Sequence, residues 1–222
     1  MKELTEEYKL LLKKFRTRES GPAVESMNRM GLKYQRNFGI ALAELKEFAK
    51  NYENEQDFAL FLWEKTSREA KILSFMIVNP ENLSKEQIDN YILGINNVEL
   101  AEQAVLNFLY QLPDNYKFAL EWCKSSEVYI NLTGLLVISR IAMLDKEFDN
   151  EKFSDFFEIL PDIAKNNNFS LKRGLSRALL QIAKRNDNLN HKVLQFIKSV
   201  SNYNEEMAAW LNEEVAYYIV EN

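Results

Sequence analysis

The segment "INNVELAEQAVLNFL" (95–109) puts two carboxylates, Glu99 and Glu102, into the first turns of a helix that its apolar spacing predicts. A carboxylate in that place either serves the helix, whose N-terminal dipole favours negative charge, or stabilises positive charge developing on a bound substrate. Asn96 reads as the N-cap with Glu99 at its third position, a capping-box-like pair that assigns Glu99 to the helix itself.

Other chemistry is sparse. Cys123 and His191 are the sole cysteine and histidine, so a zinc site of the usual nitrogen and sulfur type lacks its ligands. A Ser-His or Cys-His nucleophile would have to use His191, which stands near a helix start beside Lys192 with Asp187 as the nearest acid, and a surface histidine is the better reading. No GxGxxG and no GxxxxGK[ST] phosphate loop is present.

Positive charge is clustered. "KLLLKKFRTR" (9–18) is basic, and a second stretch carries Lys172, Arg173, Arg177, Lys184, Arg185, Lys192 and Lys198. On a helix, positions 173, 177 and 184 share one side and 185 borders it, the alignment that a phosphate-contacting ridge needs. The ordinary reading of such a cluster is a solubilising face. Acidic residues gather elsewhere, as in "DKEFDNEKFSDFFEILPD".

The elements that must position these groups are helices. Apolar residues recur at helical spacing in "GIALAELKEFAKNY" and in "SKEQIDNYILGI", which opens with a Ser84–Gln87 capping box. No stretch shows sustained strand alternation. About a dozen helices are predicted, joined by short polar links such as "NPEN", "LPDN" and "RNDN".

The chain also echoes itself. Phe58-Ala59-Leu60 leads to Trp63, and Phe118-Ala119-Leu120 leads to Trp122. Each Trp is followed by a polar link and a second helix carrying small residues, Ala70 and Ser74 in one, Thr133 and Gly134 in the other. A third such helix carries Gly174, Ser176 and Ala178. Small residues at matching places let stacked helices approach closely, and helix pairs repeating at about 40 residues mark HEAT-like arrays. The expectation is an all-α fold, a single-domain α-solenoid of HEAT-like pairs over 1–222 with a concave face, capped by helices at 1–30 and 203–222. Trp63, Trp122 and the Phe residues beside helical apolar positions belong to packing, and Trp210 seals the last repeat.

Composition agrees with that class. Among 222 residues, 46% are apolar and 27% charged, with 6 Gly and 4 Pro to interrupt helices. No apolar run approaches the roughly 20 residues that span a bilayer, and the charged "MKELTEEYKLLLKKF" lacks the apolar core of a secretory signal. One cysteine makes no disulfide framework, so a cytoplasmic location is expected. A net charge of −5 argues against a uniformly nucleic-acid-coating surface and leaves local patches open.

Long ordered stretches resemble the HEAT-like repeat DNA glycosylases of the DNA alkylation repair family. They are "MNRMGLKYQRNFGIALAELKEFAK", "LFLWEKTSREAKILSFMIVNPENLSKEQIDNYI", "FALEWCKSSEVYINLTGLLVISRIA" and "RALLQIAKRNDNLNHKVLQF". Trp63, Glu69, Ala70, Asn107, Trp122, Gly134, Lys184, Arg185 and Asn190 stand where the family pattern puts them. The first 26 residues match poorly.

In active members, as the resemblance implies, DNA lies in a concave basic groove. A Trp and an Asp four residues apart meet the lesion, with an Arg from the next repeat and a second Trp from the repeat after. The carboxylate steadies positive charge on the sugar as the alkylated base leaves, and the aromatic faces meet the cationic lesion. This chain departs at each place. Val98 replaces the first Trp, Glu102 the Asp, Leu132 the Arg, and Arg177 the last Trp. The resemblance therefore implies a DNA-binding member with lost or strongly reduced base excision and no cofactor or metal. Its partner would be duplex, damaged or branched DNA, contacted through Lys172, Arg173, Arg177, Lys184 and Arg185. It would act as a monomer and away from membranes. Two alternatives are an active glycosylase releasing cationic alkylpurines with Glu102 as electrostatic stabiliser, and a protein-interaction scaffold.

Overall fold

A computed structural model describes residues 2–53 and 55–220. The helices are α1 (Lys2–Thr17), α2 (Gly21–Arg29), α3 (Leu42–Ala49), α4 (Gln56–Trp63), α5 (Arg68–Ile77), α6 (Lys85–Leu93) and α7 (Val98–Asn107), then α8 (Asn115–Cys123), α9 (Val128–Leu144), α10 (Phe153–Ile163), α11 (Phe169–Ala183), α12 (Asp187–Val200), α13 (Glu205–Leu211) and α14 (Tyr217–Val220). Among the described residues there is no β-strand beyond one isolated bridge between Arg36 and Ser67. No helix among them is long and apolar enough to cross a membrane. The chain divides into two compact units, 1–113 and 114–222.

In the first unit α4 packs on α5, and α5 is flanked by α3 and α7. The Ser84–Gln87 capping box forms as expected, with both reciprocal hydrogen bonds in place. The N-cap of α7 is Asn97, one residue later than expected; its Oδ1 accepts from the Leu100 amide at 3.0 Å. An aromatic core joins the elements: Trp63 lies 4.9 Å from Tyr91 and 5.2 Å from Phe75, and Phe75 stacks on Phe108 at 5.5 Å.

In the second unit α8 packs on α9, α9 on α11, α11 on α12, and α12 on α13. The internal echo is visible as geometry. Ser74 Oγ donates to the Ala59 carbonyl at 2.7 Å, and in the second unit a Cβ on Gly134 would stand 2.6 Å from the matching carbonyl, that of Ala119. A small residue lets the second helix of each pair press onto the backbone of the first. In the third copy Gly174 admits Leu132 and Leu135 from α9. Trp63 and Trp122 are both buried, Trp63 against Phe75 and Tyr91 and Trp122 stacked on Phe118.

Candidate nucleic-acid interface

Helix α11 is amphipathic because Leu171, Leu175, Ala178, Leu179 and Ile182 turn inward, which leaves Arg173 and Arg177 to solvent. The five basic residues expected to contact DNA do not share one role. Arg173, Arg177 and Lys184 are exposed and lie on one stripe of the helix. Lys172 departs from the expectation, being 7% exposed with its ammonium paired to Glu206 and 5.6 Å from the Trp210 ring. Its charge is neutralised within the unit.

Arg185 departs as well. Its guanidinium donates to the carbonyls of Ala142 at 3.1 Å, Asp145 at 2.6 Å and Phe148 at 2.7 Å, and to Asn150 Oδ1. It gathers carbonyls at the C-terminal end of α9, where a cation is favoured, and holds the 145–150 turn to the fold. The sequence showed the helix face. It did not show that Glu206, 34 residues on, and the carbonyls some 40 residues back claim two of the five cations.

The first unit holds a cluster that sequence reasoning did not identify. Arg68 is 1% exposed, and its Nε and Nη2 donate to the two carboxylate oxygens of Glu99 at 2.8 and 2.6 Å. Its Nη1 donates to the Ile40 carbonyl and to Glu69. Glu69, fully buried, accepts from the amides of Phe38 and Ile40. Tyr34 donates its hydroxyl to Glu99 at 2.6 Å and to Asn97 at 3.2 Å. Burial works against the Arg68 charge, yet the hydrogen bonds and charge of Glu99, with Glu69, raise its pKa above the ordinary value. Burial, then the Glu99 carboxylate, likewise pushes the Tyr34 phenol up.

Glu99 is therefore more than a helix-start acid. With Glu69 it ties the 34–40 segment to the N-terminal ends of α5 and α7. Apart from the adjacent Arg68 and Glu69, the partners lie 28 to 65 residues apart, so no local spacing announces them. Glu69 was legible only as a position matching the family pattern.

A family model described as DNA alkylation repair enzyme matches residues 11–216. The chain belongs to that family. A solved structure from a family of proteins related to the HEAT-like repeat DNA glycosylases, described as having affinity for branched DNA structures, superposes with a TM-score of 0.75. It is 19% identical, and the alignment covers 86% of this chain and 82% of that one, which establishes the HEAT-like repeat fold. No curated protein matches.

Within the DNA alkylation repair family the four departing positions have distinct surroundings here. Val98 and Glu102 lie one turn apart on α7, both half-buried. Leu132 is 2% exposed and its Cδ1 faces Gly174, so it is a packing residue between α9 and α11 and lines no open surface. Arg177 is exposed on the α11 stripe. Among the described residues no three His, Cys, Asp or Glu side chains gather to hold a metal.

Proposed function

We propose that this member of the DNA alkylation repair family binds DNA as a monomer and has lost, or largely lost, base excision. The observation that carries the binding is the exposed stripe of Arg173, Arg177 and Lys184 on α11. Cations aligned along a helix face meet successive phosphates, and release of the counterions condensed on DNA supplies the affinity. The affinity for branched structures described for the solved relative supports extending the same preference to this chain.

The loss of excision rests on what the matched positions can do. A leucine wedged against Gly174 provides packing where the resemblance calls for a cation, and Val98 offers no aromatic face to a cationic base. Glu102 keeps a carboxylate, but on a stem one methylene longer. Catalytic groups act within about half an ångström of productive geometry, and a methylene exceeds that.

The test is a titration against duplex, single-stranded and branched DNA at two salt concentrations, beside an assay of free base from DNA bearing 7-methylguanine or 3-methyladenine. The double substitution Arg173→Gln with Lys184→Gln is expected to reduce the salt slope by roughly 2, about one for each phosphate left without its cation. Base release is expected to stay at the no-protein level. Release clearly above it would favour the active reading with Glu102 as stabiliser. A chain that binds no DNA would favour a protein-interaction scaffold.

A further inference from the structure

The N-terminal end of the α11 stripe is aromatic. Phe169, the first residue of the helix, is 61% exposed, a large apolar ring left in solvent directly beside the cations. Trp210 packs against it in a T-shaped arrangement, at 5.7 Å between centroids and 75° between planes. The Trp210 indole is itself fixed, because its Nε1 donates to Ser176 Oγ at 2.8 Å. The Arg173 guanidinium stands 5.9 Å from the Phe169 centroid. The ring is thus braced by the indole and has a cation over it, and the residue still leaves most of its surface uncovered.

Positions 169, 173, 177 and 184 fall within one narrow arc of the helix. At 1.5 Å per residue the line runs about 22 Å, an aromatic ring followed by three cations. Glu206, the acid bonded to this end of the helix, has its carboxylate engaged by Lys172 and Asn167. A ring held in place at the head of a phosphate-binding line matches one kind of ligand. Aromatic side chains stack on nucleobases whatever their identity, and only an unpaired base presents its face. A base inside a duplex is already covered on both sides.

We propose that Phe169, braced by Trp210, is a stacking platform for an unpaired nucleobase of DNA whose backbone runs along Arg173, Arg177 and Lys184. This rests on the DNA-binding reading and adds to it the feature that is recognised: a flipped, bulged or single-stranded base at the head of the stripe. The bracing removes ring motion that binding would otherwise have to freeze.

Binding is measured for a fully paired duplex, the same duplex with one unpaired nucleotide, and a fully paired four-way junction. The protein is the wild type, Phe169→Ala or Phe169→Trp. Wild type is expected to hold the bulged duplex at least about fivefold tighter than the paired one, the low end for one stacked base. Phe169→Ala is expected to erase that difference while leaving paired-duplex affinity within about twofold, and Phe169→Trp to keep it. An exposed ring is not needed for folding, and unchanged melting of the Ala variant checks this. A bulge preference that survives Phe169→Ala overturns the platform, as does a wild type that binds DNA without any preference. If Phe169→Ala instead abolishes a concentration-dependent dimer, the ring belongs to a second copy of the chain and the platform is overturned. A wild type that binds none of the three DNAs removes the DNA-binding reading itself, and the platform with it.

Discussion

Arg68 has two nitrogens of its fork on Glu99 and a third shared between Glu69 and a carbonyl, all in a place where water hardly reaches. A buried guanidinium depends on every partner it has, because removing one leaves charge that neither water nor protein compensates. Glu99→Gln is therefore expected to lower the unfolding free energy by about 3 kcal/mol. Glu102→Gln, at a half-buried position outside this fork, should cost less than Glu99→Gln. Urea denaturation of the two variants decides it, and equal losses would mean that the fork is not what holds the α7 start. The sequence made the two acids look alike, and assigned Glu99 to helix capping, because capping is local and the fork is not. Resemblance singled out Glu102; only the folded chain separates a structural carboxylate from its neighbour three residues on.

The repeated helix pair explains which small residues matter. Gly134 sits in the middle of α9, where glycine costs roughly 1 kcal/mol against alanine by helix propensity alone. Its presence there makes sense because a Cβ would come within 2.8 Å of the Ala119 carbonyl, the Cys123 sulfur and the Cys123 amide nitrogen. Backbone cannot step aside, so overpacking should outweigh the propensity gain. Gly174→Ala is different, since its nearest obstacle is the methyl end of Leu132 at 2.7 Å, a side chain able to turn. Thermal melts should show Gly134→Ala destabilised by about 2 kcal/mol and Gly174→Ala changed by less than half of that. A second readout is Cys123, whose thiol burial pushes well above the ordinary value and keeps unreactive. Its labelling in native protein should speed up in Gly134→Ala alone. The echo of Phe-Ala-Leu and Trp made these pairs legible in advance. Which residue of α9 meets which carbonyl of α8 was not, because that depends on rotation about the helix axis by a few tens of degrees.

At the scale of the whole chain, composition had pointed correctly to helices, and the clustering of cations within a net charge of −5 had pointed to α11. Burial could not be read from it. The ten tyrosines look interchangeable in the sequence, yet Tyr34, Tyr52, Tyr91 and Tyr116 are pushed above the ordinary phenol value of 10.0, in each case first by burial. Tyr34, Tyr52 and Tyr116 donate their hydroxyls to Glu99, to Glu7 and to the Lys152 carbonyl, and Tyr91 shares a hydrogen bond with Ser74. Each holds its proton in the folded state after the unfolded chain has released it. Below the unfolded value both states are neutral and the contribution is fully present. Above it the unfolded chain binds fewer protons, so stability falls as pH rises, by up to about 1.4 kcal/mol per pH unit for each such phenol. Denaturant midpoints should hold steady from neutral pH to about 9 and then drop steeply towards about 11. Tyrosinate absorbance should appear in two stages, exposed rings first and these four only as the chain unfolds. A midpoint unchanged across the alkaline range would mean that the four phenols ionise as freely in the folded protein as outside it, and that the tyrosine contacts seen here are open to water.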